Sequence, residues 1–316
     1  MIDLVYCGTP AFAVPTLEKL VAAGFRVKLV VTQPDRPSGR GMELSATPVK
    51  KTALALDLPV IQPEKIKNND EFRRQLEGTA PEAIIVVAFG RIIPQWMIDL
   101  PPLGNINLHG SLLPKYRGAA PIQWAIAMGE TITGVTTMRI DAGLDTGDIL
   151  LQAEEAIRPE DTAVTIAPRL AQAGAELMIS TLAGLKNGTI TPRPQDNMQA
   201  TLAPILKRED GLIDFSRTAV DTWNRLRGFQ PWPGAFTKFR GKGLQIHEAV
   251  PAPEVAVVGA GHFAVENDRL LLGFAHGTAL EIHELQMEGK KRMSARDFVN
   301  GYRPRSDEEV GVATSN

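Results

Sequence analysis

Apolar residues along the first half of the chain alternate between strand-like runs and helix-like spacing. Ile2–Tyr6 is a short, mostly apolar run closed by Gly8-Thr9-Pro10, Val27–Val31 is a mostly β-branched run, and Ala83–Ala88 is a continuous apolar run, as expected of a strand covered on both faces. Between them, Leu17, Leu20 and Val21 fall on one face of a predicted helix over Thr16–Ala23. A second helical pattern precedes Pro59-Val60-Ile61, and Ile106–Leu108 is a further short strand. Helix, strand, strand and helix follow at about 119–128, 133–140, 148–154 and 162–185. Alternation of this kind predicts an α/β unit with a doubly wound, mostly parallel, Rossmann-like sheet.

The pattern changes near residue 186. Lys186-Asn187-Gly188-Thr189 stops the helix, and residues 190–206 hold three prolines and no clear period, so they read as a linker along the surface. Beyond Gly211 the apolar runs are short and separated by glycines: Ala235–Phe239, Leu244–Val250, Phe263–Glu266, Leu270–Phe274 and Leu280–Leu285. They predict a small β-barrel or sandwich, with helices over Ala219–Leu226 and Ser294–Asn300. The expected boundaries are a catalytic domain at 1–189, a linker at 190–207 and a second domain at 208–316.

Composition narrows the function classes. A chain of 316 residues, 44% hydrophobic and 22% charged, is large enough for two ordinary globular domains. One cysteine, Cys7, excludes a disulfide framework and a cysteine-rich metal site. The start has no basic segment before an apolar one, and no run approaches the roughly 18 apolar residues that span a bilayer. The expectation is a soluble cytoplasmic protein without a membrane partner. Net charge is −2, so any polyanion must be met by local patches. Basic residues do cluster: Arg36, Arg40, Lys50 and Lys51 flank one loop, Arg225 and Arg227 share a helix end, and Lys238, Arg240 and Lys242 share a strand and turn. Lys290-Lys291-Arg292 form a run. A single cluster is ordinarily a solvated face; four spread over both parts favour a polyanionic partner.

The densest polar segment runs from Gly104 to Pro121. It holds His109, the only histidine among the first 246 residues. Asn107 lies two residues earlier, so the strand pleat puts both side chains on one side. Strand ends of a doubly wound sheet are where ligands bind. There an amide beside an imidazole can hold a developing oxyanion and move a proton. The bland alternative is a strand-end histidine bonded to backbone. A second segment, Arg139–Leu150, carries Asp141, Asp145 and Asp148 with two glycines. It reads either as a turn built on local bonds or as the source of a carboxylate that orients His109. The spacing of a calcium loop is absent, and there are too few ligands for zinc, so no metal is expected. G-x-G-x-x-G, Walker A, G-x-S-x-G and H-E-x-x-H sequences are absent too. Trp223, Phe229, Trp232 and Phe236 around Pro231 and Pro233 read as core packing or as base-stacking aromatics.

Taken together, several segments resemble the formyltetrahydrofolate-using transformylases. They are Cys7–Pro15, Val31–Gly41, Val86–Pro94, Asn107–Pro114, Asp141–Gly147 and Gln230–Ala235. N-x-H-x-S-L-L-P with D-A-G-x-D marks that wider group. The Q-P-D-R-P-x-G-R-G loop and the second domain narrow it to the methionyl-tRNA formyltransferase family, over nearly the whole chain. Relatives acting on small amines, or hydrolysing the folate, are the alternatives.

The resemblance implies formyl transfer from 10-formyltetrahydrofolate to the α-amine of methionyl initiator tRNA, in translation initiation, with no metal. By similarity, Asn107 donates to the oxyanion, His109 takes the amine proton or stabilises the oxyanion as imidazolium, and Asp145 orients His109. It also implies folate contacts at Phe89, Gly90, Arg91, Ile92, Ser111, Leu112, Leu113, Pro114, Asp141 and Gly143, with Leu113–Pro114 a candidate cis bond. Contacts to tRNA are implied at Arg36, Arg40, Lys50, Lys51, Arg225, Lys238, Arg240, Lys290, Lys291 and Arg292, on an OB-like second domain of a monomer.

Overall fold

The computed structural model describes residues 2–38, 43–253 and 258–311. The chain separates into two compact units. The first comprises Met1–Pro121, Ile132–Ala156 and Ile166–Pro204; the second comprises Ile122–Thr131, Ile157–Thr165 and Ile205–Asn316.

In chain order the first half contains β1 (Asp3–Gly8), α1 (Val14–Ala22), β2 (Arg26–Val31), β3 (Arg36–Ser38), β4 (Glu43–Ser45) and α2 (Pro48–Ala55). Next come β5 (Val60–Ile61), α3 (Asp70–Gly78), β6 (Ala83–Val87), α4 (Gln95–Ile98), β7 (Asn105–His109), β8 (Arg117–Gly118) and α5 (Pro121–Ala127). The set closes with β9 (Ile132–Arg139), β10 (Ile149–Ala156), α6 (Ala163–Lys186) and β11 (Leu202–Ala203). Seven strands form one sheet in the order β10-β9-β7-β6-β1-β2-β5. The five from β7 to β5 are parallel, and β9 and β10 join antiparallel at one edge. Every residue of β1 and β6 is buried, which is why β6 reads as an unbroken apolar run and β1 as one broken only by Asp3.

The first unit departs from the sequence expectation in several places. Arg36–Ser38, part of the Gln33–Gly41 stretch read as loop because of its prolines and glycines, pairs as β3 with antiparallel β4. Helix α3 lies outside the expected elements; only Phe72 and Leu76 of its nine residues are buried, and its N-terminus is fixed by Asn69, whose side chain accepts from the Phe72 N–H at 3.0 Å. The stretch after α6, read as a surface linker, is anchored to the unit. Arg193 and Ile149 exchange both backbone hydrogen bonds, and β11 pairs with β8.

The second unit holds α7 (Ala219–Gly228), β12 (Ala235–Phe239), β13 (Lys242–Pro251), β14 (Phe263–Glu266), β15 (Arg269–Gly273), β16 (Ala279–Met287), β17 (Met293–Ser294) and α8 (Ala295–Tyr302). Its sheet is antiparallel with the order β12-β13-β16-β15-β14, and β17 pairs with β16. The path is open: among the described residues β12 and β14, at its ends, do not pair. Phe239, Phe263 and Phe298 meet at 5.5–5.7 Å between ring centres and form the heart of its core. Among the described residues, no helix is long and apolar enough to cross a membrane.

Candidate active site

The carboxyl ends of the parallel strands converge where the connections leave the sheet in opposite directions, the region where open α/β sheets bind ligands. Gly8 of β1 lies beside Val87 of β6, and Val87 beside Leu108 of β7, so His109 stands just past this row. Asn105, Asn107 and His109 share one face of β7 by the strand pleat. Asn105 is committed to structure, its amide donating to the Met97 and Ile98 carbonyls at 2.8 and 3.0 Å. Asn107 is half-buried, and its amide makes no hydrogen bond among the described residues.

His109 is 5% exposed. Its Nε2 lies 2.9 Å from the Tyr116 carbonyl. A carbonyl only accepts, so Nε2 carries the hydrogen and the neutral ring keeps its lone pair on Nδ1. Nδ1 faces the Asp145 carboxylate, with Oδ2 3.6 Å away. Burial pushes the imidazole below the usual histidine value, while the Asp145 charge and the Tyr116 carbonyl pull it back up. The histidine is therefore neutral near pH 7, with its basic nitrogen beside an anion.

The two main acidic residues of the Asp141–Gly147 loop divide their work. Asp141 builds the turn: its carboxylate accepts from the Gly143 N–H at 3.0 Å and the Thr146 hydroxyl at 2.7 Å. Asp145 faces His109, and its Oδ2 also accepts from the Gly118 N–H at 2.8 Å. Asp145 sits in the left-handed region at φ 52°. Asp141 is thus bonded within its own turn, and Asp145 is the carboxylate that faces the imidazole.

The expected folate residues fall into two groups. Ser111, Leu112, Leu113 and Pro114 form a tightly held turn with a cis Leu113–Pro114 bond. Thr136 accepts from the Leu113 N–H and donates to the Ser111 carbonyl, and Gln152 donates to the Leu113 carbonyl at 2.9 Å. The second group, Phe89–Ile92, follows β6 as a turn with positive φ at Ala88 and Gly90. Gln33 donates to the Phe89 and Gly90 carbonyls at 3.0 and 3.3 Å. Phe89 is buried, Arg91 donates to the Glu64 carbonyl, and Ile92 is 92% exposed. Cys7 is buried among apolar groups, which push its thiol pKa far up and leave it unreactive.

The candidate tRNA cations differ in how free they are. In the first unit Lys50 pairs with Asp35 at 2.6 Å, Arg36 lies 3.7 Å from Glu64, and Lys51 is exposed. Arg40 lies outside the described residues. In the second unit Arg225 stacks over Trp124 and Phe229 and donates to the Asp210 carbonyl. Arg240 forks onto both Glu308 oxygens at 2.8 Å, and Arg292 pairs with Glu284 at 3.0 Å. Lys238, Lys290 and Lys291 are exposed. Of the four aromatics, Phe229 is fully buried and packs edge-on against Trp124, while Trp232 is 55% exposed.

The sequence reading missed Arg117, Thr136, Gln152, Gln195 and Thr201, which hold the site in place from other parts of the chain. Their contacts cross 16 to 85 residues of sequence, so no local pattern announces them. Among the described residues no cluster of three or more His, Cys, Asp or Glu could hold a metal.

Comparison with known proteins fits this arrangement. Residues 3–182 match the model of the formyl transferase family, and residues 205–303 match the formyl transferase C-terminal domain. The chain is 67% identical to a methionyl-tRNA formyltransferase of Koribacter versatilis over 312 residues, covering 99% of each chain. It is 65% identical to that of Acidobacterium capsulatum, covering 94% of this chain and 96% of the relative. Among solved structures, the sugar 3N-formyl transferase WlaRD, determined with dTDP and 5-N-formyl-THF, shares the fold. Its TM-score is 0.67 at 20% identity, over 92% of this chain and 99% of that one.

Proposed function

We propose that this chain, which belongs to the formyl transferase family and within it to the methionyl-tRNA formyltransferases, moves its formyl group with Asn107, His109 and Asp145. The reaction carries the formyl group of 10-formyltetrahydrofolate to the α-amine of methionine on initiator tRNA, in translation initiation. The observation that carries the residue assignment is the orientation of His109. Its Nε2 is committed to a carbonyl, which leaves Nδ1 as the base beside Asp145.

The amine attacks the formyl carbon, a C–N bond forms, and the carbonyl π pair moves onto oxygen. The unpartnered Asn107 amide donates to that oxyanion; one such donor is worth ~2.7–4 kcal/mol. His109 Nδ1 takes the ammonium proton of the adduct. The imidazolium so formed sits against the Asp145 carboxylate, which offsets the desolvation of its new charge. The proton then passes to N10 of the folate as the C–N10 bond breaks, and the neutral imidazole is restored.

The Phe89–Ile92 and Ser111–Pro114 turns, with Asp141 and Gly143, form the folate contacts. Support comes from the place of these turns past the strand ends, with a cis Leu113–Pro114 bond and positive φ at Ala88 and Gly90, and from the structure of the shared fold determined in the presence of 5-N-formyl-THF. The catalytic domain spans 1–189, the tRNA-binding domain 208–316, and the connecting segment 190–207 is anchored to the first unit over much of its length. That last domain is an OB-like barrel, a fold suited to nucleic acid. The reading is supported by residues 309 and 310, which bridge to His262 beside β14 and to Phe239 of β12 and so lie between the two ends of the sheet. Arg36, Arg40, Lys51, Lys238, Lys290 and Lys291 supply direct phosphate contacts. Lys50, Arg225, Arg240 and Arg292 contribute from positions fixed by their partners. The working form is a cytoplasmic monomer.

The test is a formyl-transfer assay with 10-formyltetrahydrofolate and three acceptors: methionyl initiator tRNA, free methionine and none. Product with the charged tRNA alone is expected. Cofactor breakdown without acceptor, or formylation of free methionine, would contradict the tRNA assignment.

A further inference from the structure

We infer that the segment 195–203, which lies beyond the last helix of the catalytic sheet, positions the His109–Asp145 pair, with Gln195 as the residue that sets Asp145. This rests on the assignment of His109 and Asp145 as the catalytic pair.

Gln195 Nε2 donates to the Asp145 carbonyl at 2.8 Å and to the Gly147 carbonyl at 2.7 Å. Gln195 Oε1 accepts from Arg117 Nε at 3.0 Å and Nη2 at 2.8 Å. Arginine only donates and a carbonyl only accepts, so the amide has a single satisfactory orientation. Arg117 is 6% exposed. Its Nη2 also donates to Asn197 Oδ1 at 2.9 Å, and among the described residues it has no carboxylate partner. The Arg117 side chain thus locks Gln195. Its neighbour Gly118 gives its N–H to the Asp145 carboxylate.

The same segment reaches the other member of the pair. The Tyr116 N–H donates to Thr201 Oγ1 at 2.9 Å, and the Arg117 N–H donates to the Thr201 carbonyl at 2.9 Å. Tyr116 is the residue whose carbonyl holds His109 Nε2. Tyr116 and Asp145 both occupy the left-handed region, at φ 62° and 52°. Non-glycine residues stay there only where their surroundings fix them. One stretch of chain therefore secures two strained positions, each in direct contact with His109. Neither Gln195 nor Thr201 touches the reacting atoms; they act through Asp145 and Tyr116.

A double-mutant cycle in the full-length enzyme tests this. kcat for formyl transfer to methionyl initiator tRNA is measured for Asp145→Ala, Gln195→Ala and the double variant, with the pH profile and Tm of each. Gln195→Ala is expected to lower kcat roughly 10–100-fold, as for displaced catalytic groups, and to move the acid limb of the profile to lower pH. On the Asp145→Ala background it should cost nothing further. Gln195→Glu guards against misfolding: it keeps an acceptor for Arg117, so the chain still folds with a Tm above that of Gln195→Ala, but it turns an acceptor toward two carbonyls and loses the same activity. Losses that multiply in the double variant would overturn the inference. So would Gln195 variants within twofold of wild type while Asp145→Ala is inactive. Full activity in Asp145→Ala would instead remove the catalytic assignment beneath it, whatever Gln195 does.

Discussion

Around His109 the ionic groups are held by neutral dipoles, whereas in the basic clusters of the second unit Arg240 and Arg292 meet carboxylates. Asp145 accepts from a backbone N–H, the imidazole is held by a carbonyl, and buried Arg117 is held by two amide oxygens. Arg240, by contrast, forks onto Glu308 and draws that carboxyl down to about 2. A charge held by dipoles stays uncompensated and acts on whatever enters beside it. A charge paired with its opposite is largely cancelled toward a third party. Residue type alone does not separate the two; the partner does.

The largest effect bearing on this contrast comes from His109→Ala. Loss of the proton acceptor should lower kcat by roughly 10²–10⁴-fold, with tRNA affinity and Tm close to wild type. A large loss of tRNA binding measured by filter retention would instead make His109 part of the binding surface. A smaller effect separates free cations from paired ones. Lys290→Ala with Lys291→Ala should flatten the slope of log affinity for tRNA against log salt, by about one for each phosphate left without its lysine. Arg240→Ala should change that slope less.

The smallest expected effect is on stability. Glu308→Gln removes a partly exposed pair worth about 1 kcal/mol or less at neutral pH. The folded-state pKa of Glu308 is depressed, so its contribution is complete above the unfolded value near 4.5 and fades as pH falls toward about 2. Thermal melts of the variant and wild type should therefore converge in acid. A difference that persists there would mean the glutamate acts by packing.

Much of the first sheet is legible in the sequence because buried parallel strands leave continuous apolar runs: Ala83–Ala88 against the observed Ala83–Val87 is one case. Asn107 and His109 are legible because strand period places them together. Helix α3 is not, since two buried residues in nine make too thin a stripe to register. The antiparallel β3–β4 pair is hidden because Pro34 and Pro37 fit loops and short edge pairs equally well. Composition does not choose among three aspartates. That choice rests on which carboxylate faces an imidazole and which bonds its own turn. Gln195 is invisible for a similar reason: in a stretch without period, only its contacts with Arg117, Asp145 and Gly147 give it meaning.

The mechanism stands on neutral His109 accepting the proton while the unpaired charge of Asp145 raises its basicity. The measurement that bears on this without intermediary is the single-turnover rate of formyl transfer against pH for wild type and Asp145→Asn. Burial holds the imidazole below about 6.5, so wild-type activity should fall as pH drops below that value. Removing the anion lowers the pKa further, so the acid limb of Asp145→Asn should move to lower pH, with a reduced plateau. An acid limb at the same pH in both enzymes would contradict a role for the Asp145 charge in the basicity of His109.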